Sequence, residues 1–270
     1  MTEPASRIQE HYGAGDLVDR ILSALSAAGC DTARPSAKML YPVDQLHTGG
    51  LNSTKVQAEL AGVAQGMRVL DAGCGIGGGA RFLADTFGCR VEAIDLTPEY
   101  VEAAIRLNAL CGLGDKIAVR QGSVTELPYE DRSFDLVWCQ NVTMNVADKQ
   151  RMFAEAYRVL VPGGRYTFTH VAQGPDGEPY YPTPWARDAS YSFLGTPEDT
   201  VALLKETGFA IPECRIERSM PQRPPQPPGA SDLGPGIAMG ADMPTRQANM
   251  GRSIDEGRLV FMLAVAERSV

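Results

Sequence analysis

Segment 69–79 combines an aspartate with closely spaced glycines, a pattern that can bind a ligand carrying a nucleotide. It reads Val-Leu-Asp-Ala-Gly-Cys-Gly-Ile-Gly-Gly-Gly, with five glycines within seven residues. Glycine adopts positive φ angles and lets a ligand approach the backbone closely. Because the segment follows a short apolar run and precedes a helical pattern, we expect the turn at the carboxyl end of a strand. Open parallel sheets bind their ligands at that edge.

Two carboxylates near this turn bear on the choice of ligand. Gly73, Gly75 and Gly78 satisfy the G-x-G-x-x-G spacing of dinucleotide sites. Asp95 follows 20 residues after Gly75, where an acid that binds ribose hydroxyls belongs. Asp71 would repel a pyrophosphate but would suit a cofactor that carries positive charge. The spacing alone leaves a dinucleotide and a cationic cofactor open, and Asp71 favours the second.

The elements around these residues alternate between two periodicities. Thr97-Pro98-Glu99 and Thr196-Pro197-Glu198 are typical helix starts, with proline in the first turn and an acid near the positive helix end. This alternation predicts an α/β fold, a parallel sheet with helices on both faces. Strands are predicted at 67–71, 91–95, 117–121, 134–139 and 165–170, and helices at 80–87, 98–110, 148–160 and 197–207.

Both ends of the chain have a different character. Residues 1–60 are predicted to form a helical cap or lid, with a helix at 17–28 and a turn-rich stretch at 41–50. Residues 61–270 are predicted to form the main domain, with insertions at about 172–195 and 221–257. Near the C-terminus, 213–219 and 259–266 are strand-like, and a weak helix or loop is expected near 241–250. The proline-rich run 221–228 suits neither a helix nor a central strand.

Composition excludes several classes of protein. The 270 residues are enough for one large domain with a sizeable core. A net charge of −8 argues against nucleic-acid binding, which needs a basic surface, and no apolar run is long enough for a membrane span. The six cysteines and three histidines are dispersed without metal-ligand spacing, so we expect no metal site. With no signal-peptide pattern, we expect a cytoplasmic protein with reduced thiols.

Five ordered segments resemble the motifs of class I S-adenosylmethionine-dependent methyltransferases. They are 70–77, 93–97, 127–129, 134–137 and 158–164, within a similar region of about 60–170. In that superfamily they are most similar to the small-molecule branch of ubiquinone-biosynthesis-like and sarcosine/dimethylglycine N-methyltransferases. The resemblance implies a Rossmann-like seven-stranded sheet, mostly parallel with a C-terminal antiparallel strand. It also implies S-adenosyl-L-methionine as the cofactor.

The resemblance also implies roles for individual residues in cofactor binding. Gly73, Gly75 and Gly77 would face the methionine moiety, Asp95 the ribose and Leu96 the adenine. Ser123 stands where the family commonly has an acid that accepts from the adenine amine, and a hydroxyl accepts without charge assistance. The remaining predicted cofactor residues are Asp71, Ala72, Gly122, Val124, Gln140 and Asn141.

Three residues are candidates for catalysis, namely His47, Asn145 and His170. His47 lies in a His-x-Gly unit that resembles the lid of sarcosine/dimethylglycine N-methyltransferases. Related sugar O-methyltransferases carry a histidine pair where Met144 and Asn145 stand here. The missing pair favours a nucleophile that needs no base, such as an amine. Structural alternatives are a surface turn for His47, a helix cap for Asn145 and a strand-end hydrogen bond for His170.

The acceptor itself is less well defined by the sequence. Aromatic residues in 174–194 suit a cationic amine or an apolar substrate, and Arg187 could hold a substrate carboxylate. The leading hypothesis is metal-independent methylation of a small-molecule amine of the sarcosine/dimethylglycine type, by a monomer or a homodimer. The alternatives are C- or O-methylation of a prenyl, quinone or natural-product acceptor. A nucleotide-cofactor oxidoreductase and a non-catalytic cofactor-binding subunit represent other classes.

Overall fold

The computed structural model describes residues 17–219 and 233–270. Within them seven strands form one sheet in the order 3-2-1-4-5-7-6, and β7 runs antiparallel to β5 and β6 while the other neighbours are parallel. This confirms the predicted Rossmann-like sheet with a C-terminal antiparallel strand. The strands are β1 (Arg68–Ala72), β2 (Arg90–Asp95), β3 (Ile117–Gln121), β4 (Phe134–Gln140), β5 (Leu160–Gln173), β6 (Phe209–Glu217) and β7 (Leu259–Arg268).

Nine α-helices surround this sheet within the described ranges. Three precede β1, and the others lie between strands or in the segment before β7. Short 3-10 turns at Thr143–Asn145 and Ala189–Tyr191 follow β4 and β5. The helices are α1 (Leu17–Ala27), α2 (Ala37–Asp44), α3 (Gly50–Leu60), α4 (Gly78–Phe87), α5 (Pro98–Leu110), α6 (Lys149–Val159), α7 (Pro197–Thr207), α8 (Gly236–Met239) and α9 (Met243–Asp255).

Neighbouring residues of β1 and β4 point to opposite faces of the sheet and so belong to different cores. Leu70 and Val137 pack with Phe153 of α6 in the core on one face. Val69 and Trp138 pack under α4 in the core on the other face. Burial on both faces explains why these strands read as nearly continuous apolar runs. It also leaves the carboxyl ends of the strands as the edge at which a ligand can bind.

A third apolar core joins the N-terminal helices to the rest of the molecule. Leu25 of α1 and Leu40 of α2 are fully buried there. They share this core with Leu107 of α5 and with Ile76 in the glycine turn. The cap therefore rests on α5 and beside the turn that follows β1.

The prediction of a turn-rich stretch at 41–50 is wrong for its first half. Helix α2 continues through Asp44, because Leu40 and Val43 are buried and their packing outweighs the missing N–H of Pro42. Ser36 caps the start of this helix, where its hydroxyl accepts from the Met39 N–H. The chain turns only at 45–49, and α3 begins at Gly50.

The C-terminal half also differs from the sequence expectation in two places. β5 begins at Leu160, ahead of the strand predicted at 165–170, and the β4–β5 register shifts near this start, between Phe134 and Leu136. Helix α9 occupies the region predicted as a weak helix or loop. The proline-rich run 221–228 and the first 16 residues of the predicted cap lie outside the described residues. Each helix in 17–219 and 233–270 is too short or too polar to cross a membrane.

A buried ion pair fastens α2 to α4. The Arg81 guanidinium donates to Asp44 Oδ2 through Nη2 at 2.9 Å and through Nε at 3.2 Å, and both side chains are fully buried. Arg81 Nη1 donates to Asn108 Oδ1 on α5 at 2.9 Å. Gln45 Nε2 donates to the other carboxylate oxygen of Asp44, also at 2.9 Å. Because both charges have hydrogen-bond partners, the pair can hold the cap in one position.

Arg81→Met should lower the free energy of unfolding by about 3–5 kcal/mol, because it leaves the Asp44 carboxylate buried without its counter-ion. The matched control is Arg106→Met, because Arg106 pairs with Asp19 while both side chains are about half exposed. That change should cost about 1 kcal/mol or less. Urea unfolding followed by circular dichroism measures both values. Equal losses in the two variants would contradict the anchoring role of the buried pair.

Candidate functional site

A cavity of 490 Å³ lies at the carboxyl ends of the central strands. Its walls come from the segments that follow β1, β2, β3 and β4. The turn after α2 closes one side, and Pro184 and Trp185 from the segment after β5 close another. Met239 of α8 completes the described lining. The edge that general rules assign to ligands thus carries a real cavity.

The glycine turn after β1 forms the floor of this cavity. Gly73 has a φ of 82°, and a Cβ at this position would overlap the side chain of Val142. A Cβ on Gly78 would overlap the backbone of Asp44 in the cap. The turn therefore needs glycine for its backbone conformation and for the close approach of two neighbouring segments.

Asp71 is buried at the end of β1, and its Oδ2 has no hydrogen-bond partner. A Cβ on Gly79 would lie 3.2 Å from this oxygen, 3.1 Å from Gln140 Oε1 and 3.0 Å from Trp138 Nε1, so the three atoms surround one small polar space. Burial raises the pKa of Asp71 to about 7, with a smaller contribution from the negative charge of Asp95. A buried carboxylate with an unpaired oxygen is suited to a cationic ligand.

Asp95 ends β2 at the opposite side of the glycine turn. Its Oδ2 accepts from the Gly75 N–H at 2.8 Å, and its Oδ1 accepts from the Thr97 N–H at 2.9 Å. Burial raises the pKa of this carboxyl despite these hydrogen bonds. A carboxylate has about four acceptor sites, so it can accept from a ribose hydroxyl besides these N–H groups.

The wall beyond Asp95 is formed by Leu96, Gly122, Ser123 and Val124. The Ser123 hydroxyl already forms a hydrogen bond of 2.8 Å with Thr125 Oγ1 and accepts from the Thr125 N–H at 3.2 Å. This wall offers apolar contact and few polar groups, which suits the flat face of a base. Taken with Asp71 and Asp95, the lining fits a nucleoside that carries a cationic group.

Ala72, Gly77 and His170 were predicted in the site, but the cavity lining does not include them. Ala72 is buried in the core beneath the turn. Gly77 caps α4 with a φ of 84°, and a Cβ at this position would point toward Arg81 and Ala104. Spacing alone cannot show that alternate glycines of a tight turn face different ways.

His170 is buried in the middle of the sheet and lines a separate cavity of 210 Å³. Its ring stacks on Phe168 with centroids 5.0 Å apart. Burial, with a smaller contribution from the charge of Lys149, lowers the pKa of His170 to about 3. The imidazole is therefore neutral at pH 7, and outside the main cavity it does not reach an acceptor bound there.

His47 lines the cavity, and both of its ring nitrogens have partners. Nε2 lies 3.0 Å from Thr54 Oγ1 and 3.2 Å from Gln45 Oε1, while Nδ1 lies 3.2 Å from the Thr48 carbonyl oxygen. The ring is thus held in the turn between α2 and α3.

Asn145 also lines the cavity, but its amide is committed to the backbone of the segment after β5. Its Nδ2 donates to the Trp185 carbonyl at 3.0 Å and to the Tyr191 carbonyl at 3.5 Å. The Phe193 N–H donates to the Met144 carbonyl at 2.7 Å, which adds a second tie between the same segments. Asn145 therefore fixes the wall that carries Trp185.

Several lining residues carried no sequence signal. Tyr100 and Met239 reach the cavity only through the packing of α5 and α8. Trp185 belongs to the predicted aromatic insertion, whereas Arg187 is exposed and outside the lining. Tyr180 lies outside as well, because its ring stacks on the guanidinium of Arg252 at 3.8 Å. Among the described residues, no group of three His, Cys, Asp or Glu side chains could hold a metal ion.

Part of the chain is similar in sequence to known methyltransferases. Residues 70–168 match the family described as "Methyltransferase domain". A sarcosine/dimethylglycine N-methyltransferase from Halorhodospira halochloris is 36% identical over 141 residues, which are 52% of this chain and 50% of the relative. The chain thus spans about half the length of this curated relative. Residues 70–168 form a class I S-adenosylmethionine-dependent methyltransferase domain.

Solved structures agree on the fold of this methyltransferase domain. A geranyl diphosphate C-methyltransferase from Streptomyces coelicolor A3(2) aligns with a TM-score of 0.71 at 18% identity, over 99% of this chain and 98% of that chain. A 4+2 cyclase aligns with a TM-score of 0.69 at 20% identity, over 98% and 96% of the two chains. Identities this low show the fold alone. The cyclase illustrates that this fold does not determine the reaction.

The affinity for S-adenosylmethionine should increase as the pH rises from about 5.5 to 7, because Asp71 must ionise to attract the cation. Below the pKa of Asp71, each pH unit should weaken binding by up to about tenfold. Calorimetry across this range measures the slope, and buffers of different ionisation heat measure the proton released. Asp71→Asn should bind more weakly with a flatter slope. The same slope in both proteins would assign the titration to another group.

Proposed function

We propose that the protein transfers a methyl group from S-adenosylmethionine to the amine nitrogen of a small molecule. The observation that supports this proposal is the position and hydrogen bonding of the three candidate catalytic residues. His47 is engaged at both ring nitrogens, Asn145 donates to backbone carbonyls, and His170 lies outside the cavity. A phenol or alcohol acceptor needs a base to remove its proton. An amine needs none once its lone pair is free.

The cofactor is held in this proposal by the residues that its charge and shape require. Asp71 Oδ2 and Gln140 Oε1 accept from the α-ammonium, and Asp95 accepts from the ribose hydroxyls. Leu96 and the segment 122–124 contact the adenine. When bound, the cofactor supplies an activated methyl group on a positively charged sulfur. The lining supplies orientation, which is worth about 7–11 kcal/mol in well-aligned reactions.

The apolar part of the lining prepares the acceptor for reaction. Val142, Met144 and Trp185 offer few polar partners to a bound amine. Burial of an amine in such surroundings disfavours its charged form and lowers its pKa. The acceptor then loses its proton to solvent and presents a lone pair, without proton transfer to a side chain.

C- or O-methylation of a prenyl, quinone or natural-product acceptor is the second candidate. The apolar lining that suits an amine also suits such molecules, and one relative in fold is a C-methyltransferase. The sarcosine/dimethylglycine type of acceptor, the cytoplasmic location and a homodimer stay predictions from the sequence.

Incubation with S-adenosylmethionine and a panel of amines, phenols and prenyl acceptors tests the proposal, with the methylated atom located by NMR. We expect N-methylation. The value of kcat/KM should increase as the pH rises toward the pKa of the free amine. His47→Gln should lower kcat by less than about tenfold, because His47 does not act as a base in this proposal. Loss of a general base would instead lower kcat by at least about 100-fold. Products methylated at oxygen or carbon would contradict the proposal. So would a loss of about 100-fold in His47→Gln.

We further propose that the N-terminal cap acts as a lid over the cofactor. Leu46 and His47 line the cavity from the turn after α2. Gln140 Nε2 donates to Thr54 Oγ1 at 3.2 Å and to Gln57 Oε1 at 3.0 Å, which connects the cofactor side of the cavity to α3. A lid must open to exchange cofactor, so the cap would have to leave this closed position, in which the ion pair of Asp44 and the hydrogen bonds of α3 hold it.

Hydrogen exchange should slow across residues 17–60 when S-adenosylhomocysteine is added, because the ligand holds the lid in its closed position. Helix α6 lies across the sheet from the cap and serves as the internal control. Mass spectrometry of peptic peptides measures both regions in one experiment. Equal protection of α6 and the cap, or none in the cap, would show that the N-terminal helices do not act as a lid.

A further inference from the structure

The Asp, Glu, Lys and Arg side chains in the described lining of the cavity are of one sign. Four carboxylates line it, from Asp44, Asp71, Asp95 and Asp148, and its described lining contains neither lysine nor arginine. We infer that the acceptor is an amine carried on an apolar group with no carboxylate or phosphate. This inference rests on the proposed function and names its substrate class.

The four carboxylates differ in what they can do for an acceptor. Asp44 is neutralised by Arg81, while Asp71 and Asp95 face the proposed cofactor position. Asp148 is exposed at the start of α6, where its Oδ1 accepts from the Arg151 N–H at 2.9 Å. It therefore gives the mouth of the cavity a negative charge. Such a charge attracts a cationic amine and repels an anion.

The nearby cations are directed elsewhere. Arg81 is fully buried and bonded to Asp44 and Asn108, so its charge is not offered to the cavity. Lys149 donates from Nζ to the carbonyls of Val146 and Phe193, and burial lowers its pKa to about 8. Arg187, the sequence candidate for a substrate carboxylate, is exposed and outside the lining. None of these side chains is placed to bind an anionic acceptor.

The lining on the acceptor side includes several apolar side chains. Leu46 comes from the cap, Val142 and Met144 from the segment after β4, and Pro184 and Trp185 from the segment after β5. An anionic group placed against these side chains would lose its hydration and find no counter-ion. An apolar group placed there would exchange water for contact. The lining thus selects for the hydrocarbon part of the acceptor and against an anion.

This acceptor class differs from the one that the curated relative suggests. The relative is named for sarcosine and dimethylglycine, and both of these amines carry a carboxylate. The shared segment covers only about half of each chain, so the walls outside it can differ. Pro184 and Trp185 lie outside the matched methyltransferase domain of residues 70–168, as does the cap.

Binding to the protein saturated with S-adenosylhomocysteine tests the inference directly. The probes form two pairs that differ by one anionic group, namely phenethylamine with phenylalanine and ethanolamine with phosphoethanolamine. We expect phenethylamine to bind at least about tenfold more tightly than phenylalanine, since an uncompensated anion loses hydrogen bonds of this worth. Ethanolamine should likewise bind more tightly than phosphoethanolamine. Equal or tighter binding of the anionic members, or no binding of phenethylamine, would overturn the inference.

A charge introduced at the mouth should shift this preference. Ala147 lines the cavity and is exposed, so Ala147→Arg adds a cation without disturbing a core. This variant should gain affinity for phenylalanine by about threefold relative to phenethylamine. Ala210→Arg is the matched control, because Ala210 is exposed on β6 and lies outside the lining. An unchanged ratio in Ala147→Arg, or the same change in both variants, would contradict the charge argument.

The outcome separates this inference from the proposed function. If methyl transfer to apolar phenols or prenyl acceptors replaces N-methylation, the proposed function fails while the preference against anions can still be measured by binding. If amines are methylated but the anionic members bind better, the proposed function holds and this inference fails.

Discussion

The position of the N-terminal cap depends on one buried polar network. It starts at the ion pair of Arg81 with Asp44 and passes through Gln45 to Thr54, whose hydroxyl donates to Gln45 Oε1 at 2.7 Å. It ends at Gln140, which donates to Thr54 from the end of β4. Buried polar groups are costly unless all have partners, so such a network tolerates few alternative arrangements. The cap and the sheet therefore meet in one register, and the cavity lies between them.

This network makes the two ends of Gln140 serve different purposes. Its Nε2 is bonded to Thr54 and Gln57 on α3, so the amide cannot rotate freely. Its Oε1 is consequently presented toward Gly79 and the unpaired oxygen of Asp71. A cationic group placed there would complete the hydrogen bonding of the carboxylate. Gln140 thus connects the proposed cofactor position to α3, in addition to the cap residues Leu46 and His47 that line the cavity themselves.

The sequence predicted the parts of this arrangement that depend on local chemistry. The glycine turn, Asp71 and Asp95 could be located because strand ends, turns and helix starts are encoded within short segments. The sheet followed from the alternation of elements. Gly77 was expected to face the ligand, but the side on which it would carry a Cβ is turned toward Ala104 of α5, which the spacing of the glycines does not reveal.

The sequence failed where distant segments decide the outcome. His170 ends a predicted strand, yet β5 continues to Gln173, and the ring stacks on Phe168 beside a separate cavity. Helix α2 extends into the expected turn because its buried face packs on helices far away in the chain. Tyr100 and Met239 reach the cavity through the same long-range packing. No periodicity within one segment carries that information.

The sign of the charge in the cavity also explains the choice between the two cofactors that the glycine spacing left open. Asp71 is buried and Asp95 is partly buried nearby, and the loss of solvent raises the pKa of both. An acid with a raised pKa opposes folding more strongly as the pH rises from its unfolded value through its folded value. The protein therefore bears an unfavourable charge at neutral pH that a cation can offset. A pyrophosphate would add to that charge, whereas a sulfonium and an ammonium oppose it. The negative charge of Asp71 and Asp95 therefore has two effects. It lowers the stability of the folded protein at neutral pH, and it gives the site a preference for a positively charged nucleoside.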